Sequence, residues 1–152
     1  MTTERMPEDP LSLEQQVCFA MVVAARNVVS VYKPVLEPMG LTHTQYLVML
    51  ALWEHAPLSV RELSLLLQLD PGTLSPMLKR LESAELLERR RNSDDERLLS
   101  VQLTARGKEL REQALLVPPA IVARLGMSMD ELKHLHTTLT KVIAATAEVP
   151  VS

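Results

Sequence analysis

The chain has little of what staples or decorates a protein. It carries one cysteine, one tryptophan, one phenylalanine and two tyrosines among 152 residues. A single cysteine excludes an internal disulfide, fits a reducing compartment and leaves a free thiol to explain. With so few aromatics, Leu, Val, Met and Ala must fill the core that a 47% hydrophobic composition can build. This length fits one compact domain, with residues 1–10 and 148–152 loose. The longest apolar run, Val17–Ala25, is far below the ~20 residues of a membrane span, so none is expected. The opening MTTERMPEDP lacks the basic start and apolar stretch of a signal peptide, which points to the cytoplasm. His134 and His136 stand two apart and face different sides of a helix. No cluster of His, Cys, Asp and Glu has ligand spacing, so neither a metal nor a cofactor is expected.

The formal net charge of −3 argues weakly against a nucleic-acid partner. Its distribution softens that argument. Residues 59–111 hold ten Lys/Arg against nine Asp/Glu, while the remainder holds six against ten. A nearly neutral module binds DNA when its cations face one way. The pattern within residues 59–104 suits that partner. Two short helices at Ser59–Leu67 and Asp70–Ala84 precede a basic strand at Leu86–Arg91, a charged turn at Asn92–Arg97 and an alternating strand at Leu98–Leu103. Helix–turn–helix followed by a hairpin is the plan of a winged helix.

Capping signals mark the helix starts. Ser12-Leu-Glu-Gln15 predicts a long first helix to about Met39, with Pro34 near its end and Gly40 as its left-handed stop. Thr42–Gln45 opens a second helix to about His55, and Ser59–Glu62 a third. Asp70-Pro71 opens a fourth, with proline at the first helical position. A fifth begins at Thr104 or Ala105 and is interrupted around Pro118-Pro119. Ser128–Glu131 opens a sixth, to about Ala147.

In the fourth helix Leu74, Met77, Leu78 and Leu81 share the inward face. Gly72, Ser75, Pro76, Lys79 and Ser83 lie opposite, with Thr73 and Arg80 toward one flank. Small polar groups near a helix start approach bases and phosphates closely, and Lys79 adds charge. In the hairpin, Arg89 and Arg91 supply cations. Arg97 is placed to enter a minor groove, with Asp94 or Asp95 holding a neighbouring arginine. A solvated helix face and a surface salt-bridge network are the plainer readings of the same residues.

Cys18 stands among Val17, Phe19 and Met21, where a lone cysteine is ordinarily a small buried hydrophobe. Reactivity requires donors that stabilise its thiolate. Tyr32 lies fourteen positions on, roughly on the same helical face, but fourteen residues span ~21 Å of helix. Tyr32 can therefore meet only the Cys18 of a second chain, with the first helices antiparallel. A dimer also suits a two-fold DNA site.

Over nearly its whole length the chain resembles the MarR family of winged-helix regulators, and within it the organic-hydroperoxide sensors called OhrR. The resembling stretches are Leu13–Phe19, Tyr32-Lys-Pro, Leu41–Leu50, Leu52-Trp-Glu-His, Leu69–Leu81 and Ser93–Arg97. The resemblance implies a mainly α fold with a small β-hairpin wing (α+β). Dimerisation helices would lie at about 12–40 and 105–147, around a winged-helix module at about 42–104. It further implies a homodimer that represses a peroxide-detoxification gene at an inverted-repeat operator until Cys18 is oxidised. Two departures matter. Two tyrosines of the partner subunit bond the cysteine in that branch. Tyr32 matches the first, but the second falls at His43; Tyr46 is the next tyrosine of the run, not its replacement. Relatives with a resolving cysteine have no counterpart here, so a Cys18 sulfenic acid must meet a small thiol or a backbone nitrogen, or oxidise further.

The expectation is thus a cytoplasmic, non-enzymatic repressor, with organic hydroperoxide as inducer and no membrane partner. Other readings stand beside it. One is a repressor released by a reversible aromatic or lipophilic ligand, with Cys18 passive. Another is a thiol peroxidase-like enzyme, although the chain has no second cysteine to complete turnover. A third is a dimeric partner-binding module without DNA.

Overall fold

A capping box closes at three of the four places where the sequence spells one. In the computed structural model, which describes residues 9–91 and 99–147, the Thr42 hydroxyl accepts the Gln45 N–H and the Gln45 side chain accepts the Thr42 N–H, opening α2 (His43–His55). Ser59 and Glu62 do the same for α3 (Val60–Leu67). Ser128 and Glu131 do it for α7 (Met129–Ala147). The fourth place, Ser12–Gln15, does not behave so. Its hydroxyl makes no cap bond, and Leu13–Gln15 closes as a separate 3₁₀ turn. Gln16 then donates its side-chain amide to the carbonyls of Pro10 and Ser12, and α1 begins only at Val17 and runs to Leu36. Cys18 therefore sits in the first turn of α1. A second 3₁₀ turn, Glu37–Met39, leads to Gly40 at φ 69°, the left-handed stop expected from the sequence.

Asp70 caps α4 (Pro71–Ser83), with Pro71 where its missing N–H costs nothing. Strands β2 (Leu87–Arg91) and β3 (Leu99–Leu103) form the hairpin as expected. No sequence signal announces β1, Leu58–Ser59, which pairs with β3 and completes an antiparallel sheet of order β1-β3-β2. Val101 is the hub. It is fully buried, opposite Leu58 on one side and Arg89 on the other. Leu74, Leu78 and Leu81 turn the inner face of α4 to the core that Leu52, Leu63 and Leu87 also enter, all of them almost solvent-free. Each such side chain stabilises the fold by about 1.5–3 kcal/mol.

After β3, the Thr104 hydroxyl accepts the Gly107 N–H and opens α5 (Ala105–Ala114). The helical break follows at Leu115-Leu116, not at the prolines. Pro118 and Pro119 lie in the first turn of α6 (Val117–Leu125), where no intrahelical N–H is needed. The chain forms two compact units, Met1–Val117 and Pro118–Ser152. In the second unit, Leu135, Leu139 and Ile143 form an exposed stripe along one face of α7. In the first, Val17, Phe19, Val22 and Val29 leave α1 with exposed apolar side chains. The helical stretch Val17–Met39 has 23 residues and contains an 18-residue window of mean hydropathy 1.3. That length and composition alone do not distinguish a membrane span from an apolar packing helix, and Arg26 and Lys33 interrupt the stretch.

Candidate nucleic-acid interface and thiol site

The turn between α3 and α4 is built by local chemistry. Gln68 takes the left-handed conformation, φ 52°, and the Ser64 hydroxyl donates to the Leu69 carbonyl. At the start of α4 the Asp70 carboxylate accepts the Thr73 N–H at 2.9 Å and the Thr73 hydroxyl at 2.7 Å. The hydroxyl bond first, and the backbone bond with it, hold the Asp70 carboxyl below its usual range. The Thr73 hydroxyl proton is thus already committed, while its oxygen can still accept. A side chain at residue 72 would stand 3.0 Å from Asp70 Oδ1, so glycine keeps this cap uncrowded. Pro76 has no N–H to give the Gly72 carbonyl, which leaves that oxygen open to an outside donor. Gly72, Thr73, Ser75, Pro76, Lys79 and Arg80 are all exposed, as the periodicity of the sequence predicts.

The wing strand is tied to this helix by Arg89. Its backbone N–H and Nε donate to Glu82 Oε2 at 3.1 and 3.4 Å, and its Nη2 donates to Glu82 Oε1 at 3.2 Å. The same bonds hold the Glu82 carboxyl low. Arg89 is only 24% exposed, so it fastens β2 to α4 before it can reach a ligand. Arg90 pairs with Glu88 at 2.8 Å. Arg91 ends β2 and is exposed. Asp94, Asp95 and Arg97 lie outside the described residues.

The thiol site is split in space. Cys18 is exposed at the start of α1. Tyr32 lies on the same uninterrupted helix, about 21 Å further along at 1.5 Å per residue. It is Tyr32 and His43 that come together within one chain. Their ring centroids are 4.6 Å apart, at 56° between planes. Tyr46, to which the sequence assigns no part in the site, is buried, with its ring 5.8 Å from that of Tyr32. Burial pushes both phenols up and the His43 imidazole down, with Tyr32 raising Tyr46 further. A cavity of about 450 Å³ lies beside His43, lined by Val29, Ser30, Lys33, Glu37 and Leu41. The α2 capping box is what brings His43 here, because it sets the first residue of the helix against α1.

A helix–turn–helix with an apolar inner face, a cation-bearing outer face and a strand pair locked beside it defines a winged-helix regulator. The family model described as transcriptional regulator SarA/Rot matches residues 30–114. The chain belongs to this SarA/Rot and MarR group of winged-helix transcriptional regulators. It is 40% identical to the organic hydroperoxide resistance transcriptional regulator of Bacillus subtilis, over 86% of this chain and 89% of that one. It is also similar to AbfR of Staphylococcus epidermidis, solved on DNA. With the reduced form the identity is 34% and the TM-score 0.74, over 90% of this chain and 96% of that one. With the overoxidized form the values are 34% and 0.72, over 88% and 93%. MarR from E. coli, at 26% identity, superposes with a TM-score of 0.68 over 84% of this chain and 97% of that one.

Proposed function

We propose that the chain is a homodimeric, cytoplasmic DNA-binding repressor that senses organic hydroperoxides through Cys18 and then leaves its operator. The observation that carries this reading is the meeting of Tyr32 and His43 in one chain while Cys18 stands exposed and about 21 Å away along α1. A second copy, with its α1 antiparallel, brings its thiol to that pair. The exposed apolar side chains of α1 and the stripe on α7 are the surfaces two copies share. Covering them removes the large exposed apolar area that a stable monomer does not keep.

The chemistry is a two-electron oxidation. The Cys18 thiolate attacks one peroxide oxygen, the O–O bond breaks, and the alcohol leaves with a proton. Sulfur is left as a sulfenic acid. Val17, Phe19, Met21 and Val22 give the site apolar walls that favour a lipophilic peroxide over a hydrated one. His43, kept neutral by burial, acts as a hydrogen-bond partner of the thiolate rather than as a cation. The oxidised sulfur is larger and more polar, which forces the packed seam and with it the spacing of the two α4 helices. That spacing must match half-sites about one DNA turn apart.

On the DNA side, Gly72, Thr73, Ser75, Pro76, Lys79 and Arg80 enter the major groove, with Arg91 on the backbone and Arg97 in the minor groove, steadied by Asp94 and Asp95. Footprinting of the chain's own upstream region tests this. The expected result is two-fold symmetric protection that weakens with salt. Unsymmetric protection, or affinity flat in salt, contradicts it.

A further inference from the structure

Between the recognition helix and the wing lies a cleft of about 260 Å³. Ser59 and Arg61 line it from the start of α3, Ser75 and Leu78 from α4, and Arg89 and Leu99 from the strand pair. A second cavity, of about 560 Å³, shares Ser59, Arg61 and Leu99 and adds Glu62, Leu65 and Ser100. Arg61 is common to both and is exposed. The two other charged groups here are each engaged. Glu62 accepts the Ser59 N–H at 3.1 Å in the α3 capping box. Arg89 is offset by Glu82 at 3.2 Å. Among the described residues no ion pair involves Arg61, so none of them offsets its charge.

Duplex geometry supplies the occupant. A helix in a major groove and a wing in the adjacent minor groove are separated by one sugar–phosphate strand. That strand has to cross whatever lies between α4 and the wing, which is this cleft. We infer that Arg61 binds a backbone phosphate of that strand, beside the hydroxyls of Ser59 and Ser75. The contact fixes register and orientation and carries no sequence information. Arg61 stands outside the recognition helix and the wing, so a reading of those two segments passes over it. The inference rests on the DNA-binding reading above.

The test is the salt dependence of affinity for a mixed-sequence duplex, measured by fluorescence anisotropy on the full-length protein. Each phosphate bound contributes about 0.9 to the slope of log K against log salt, and a dimer carries two copies of Arg61. Arg61→Gln is expected to lower the slope by about 1.8 and to weaken mixed-sequence and operator duplexes by the same factor. Arg61→Lys keeps the charge and is expected to restore the slope. Arg61→Met replaces the glutamine variant if that one does not fold, judged by its melting temperature. A parental slope in Arg61→Gln, or a loss confined to the operator, overturns the inference while leaving the DNA-binding reading intact. If the parent itself shows no salt-dependent binding to either duplex, both fall together.

Discussion

The imidazole of His43 sits 4.6 Å, centroid to centroid, from the ring of Tyr32. Burial in this pair lowers the pKa of the imidazole from 6.5. A histidine whose folded pKa is depressed binds protons more readily unfolded. Its contribution is therefore present above pH 6.5 and lost as the pH falls through the folded value. Melting temperature against pH checks this: the parent should lose stability on acidification more steeply than His43→Phe. Parallel curves would mean that the burial of His43 has no consequence for folding.

The same residue has a functional readout. His43→Phe removes the hydrogen-bond partner offered to the other subunit's thiol and should slow alkylation of Cys18 at neutral pH. His43→Tyr, which restores the pattern of the peroxide-sensing branch, should keep the parental rate. Identical rates in all three proteins would make His43 a bystander and leave Tyr32 as the partner of the thiolate.

The Glu82–Arg89 pair makes a separate prediction about the wing. Both members are partly solvated, so the pair adds only about 0.2–1 kcal/mol to stability. Its charge is already neutralised before DNA arrives. Arg89→Gln should weaken DNA binding by loosening β2 from α4, with little change in salt slope. Arg91→Gln should lower the slope by about 0.9 for each phosphate it no longer neutralises. A drop in slope for Arg89→Gln like that of Arg91→Gln would make Arg89 a phosphate ligand after all.

Most of the fold was legible because it is written in local chemistry. Thr42, Ser59, Asp70, Thr104 and Ser128 each cap the helix their position announces, since a hydroxyl or carboxylate three residues before a free N–H needs no tertiary help. Ser12 failed because a competing local donor, the Gln16 side chain, tied the segment into a 3₁₀ turn. Two-residue β1 was invisible because its only signal is pairing with a strand some forty residues away. At the site, the outer face of α4 followed from periodicity. The Arg89–Glu82 clasp and the support of Tyr46 did not, because both depend on which elements pack together.

Gly107 shows how tightly α5 is docked. A Cβ there would lie 2.0 Å from the Leu86 carbonyl oxygen, a backbone atom that no rotamer change can move. The Gly107 carbonyl also accepts the Trp53 indole N–H at 2.9 Å. Gly107→Ala should cost about 1–3 kcal/mol in denaturant unfolding by overpacking. Trp53→Phe, which loses the bond but keeps most of the ring, should cost less. An alanine variant as stable as the parent would show that α5 shifts freely over the sheet.

Glu85 holds φ 62° in the turn before β2, in a region that costs an L-residue about 1–2 kcal/mol. Glycine removes that strain at some entropic cost, and the Glu85 ion pair with Arg106 is long and exposed. Glu85→Gly should therefore stabilise the chain by about 0.5–1 kcal/mol. A lower midpoint in chemical denaturation would contradict it.

The most direct measurement follows DNA occupancy of the parent and of Cys18→Ser during titration with an organic hydroperoxide, with mass spectrometry of Cys18 at each point. The account predicts that the parent leaves DNA as Cys18 gains oxygen or a thiol adduct, while the serine protein binds equally well and stays bound. Release of the serine protein by the same peroxide, or a parent fully oxidised at Cys18 that remains on its operator with unchanged affinity, would contradict it.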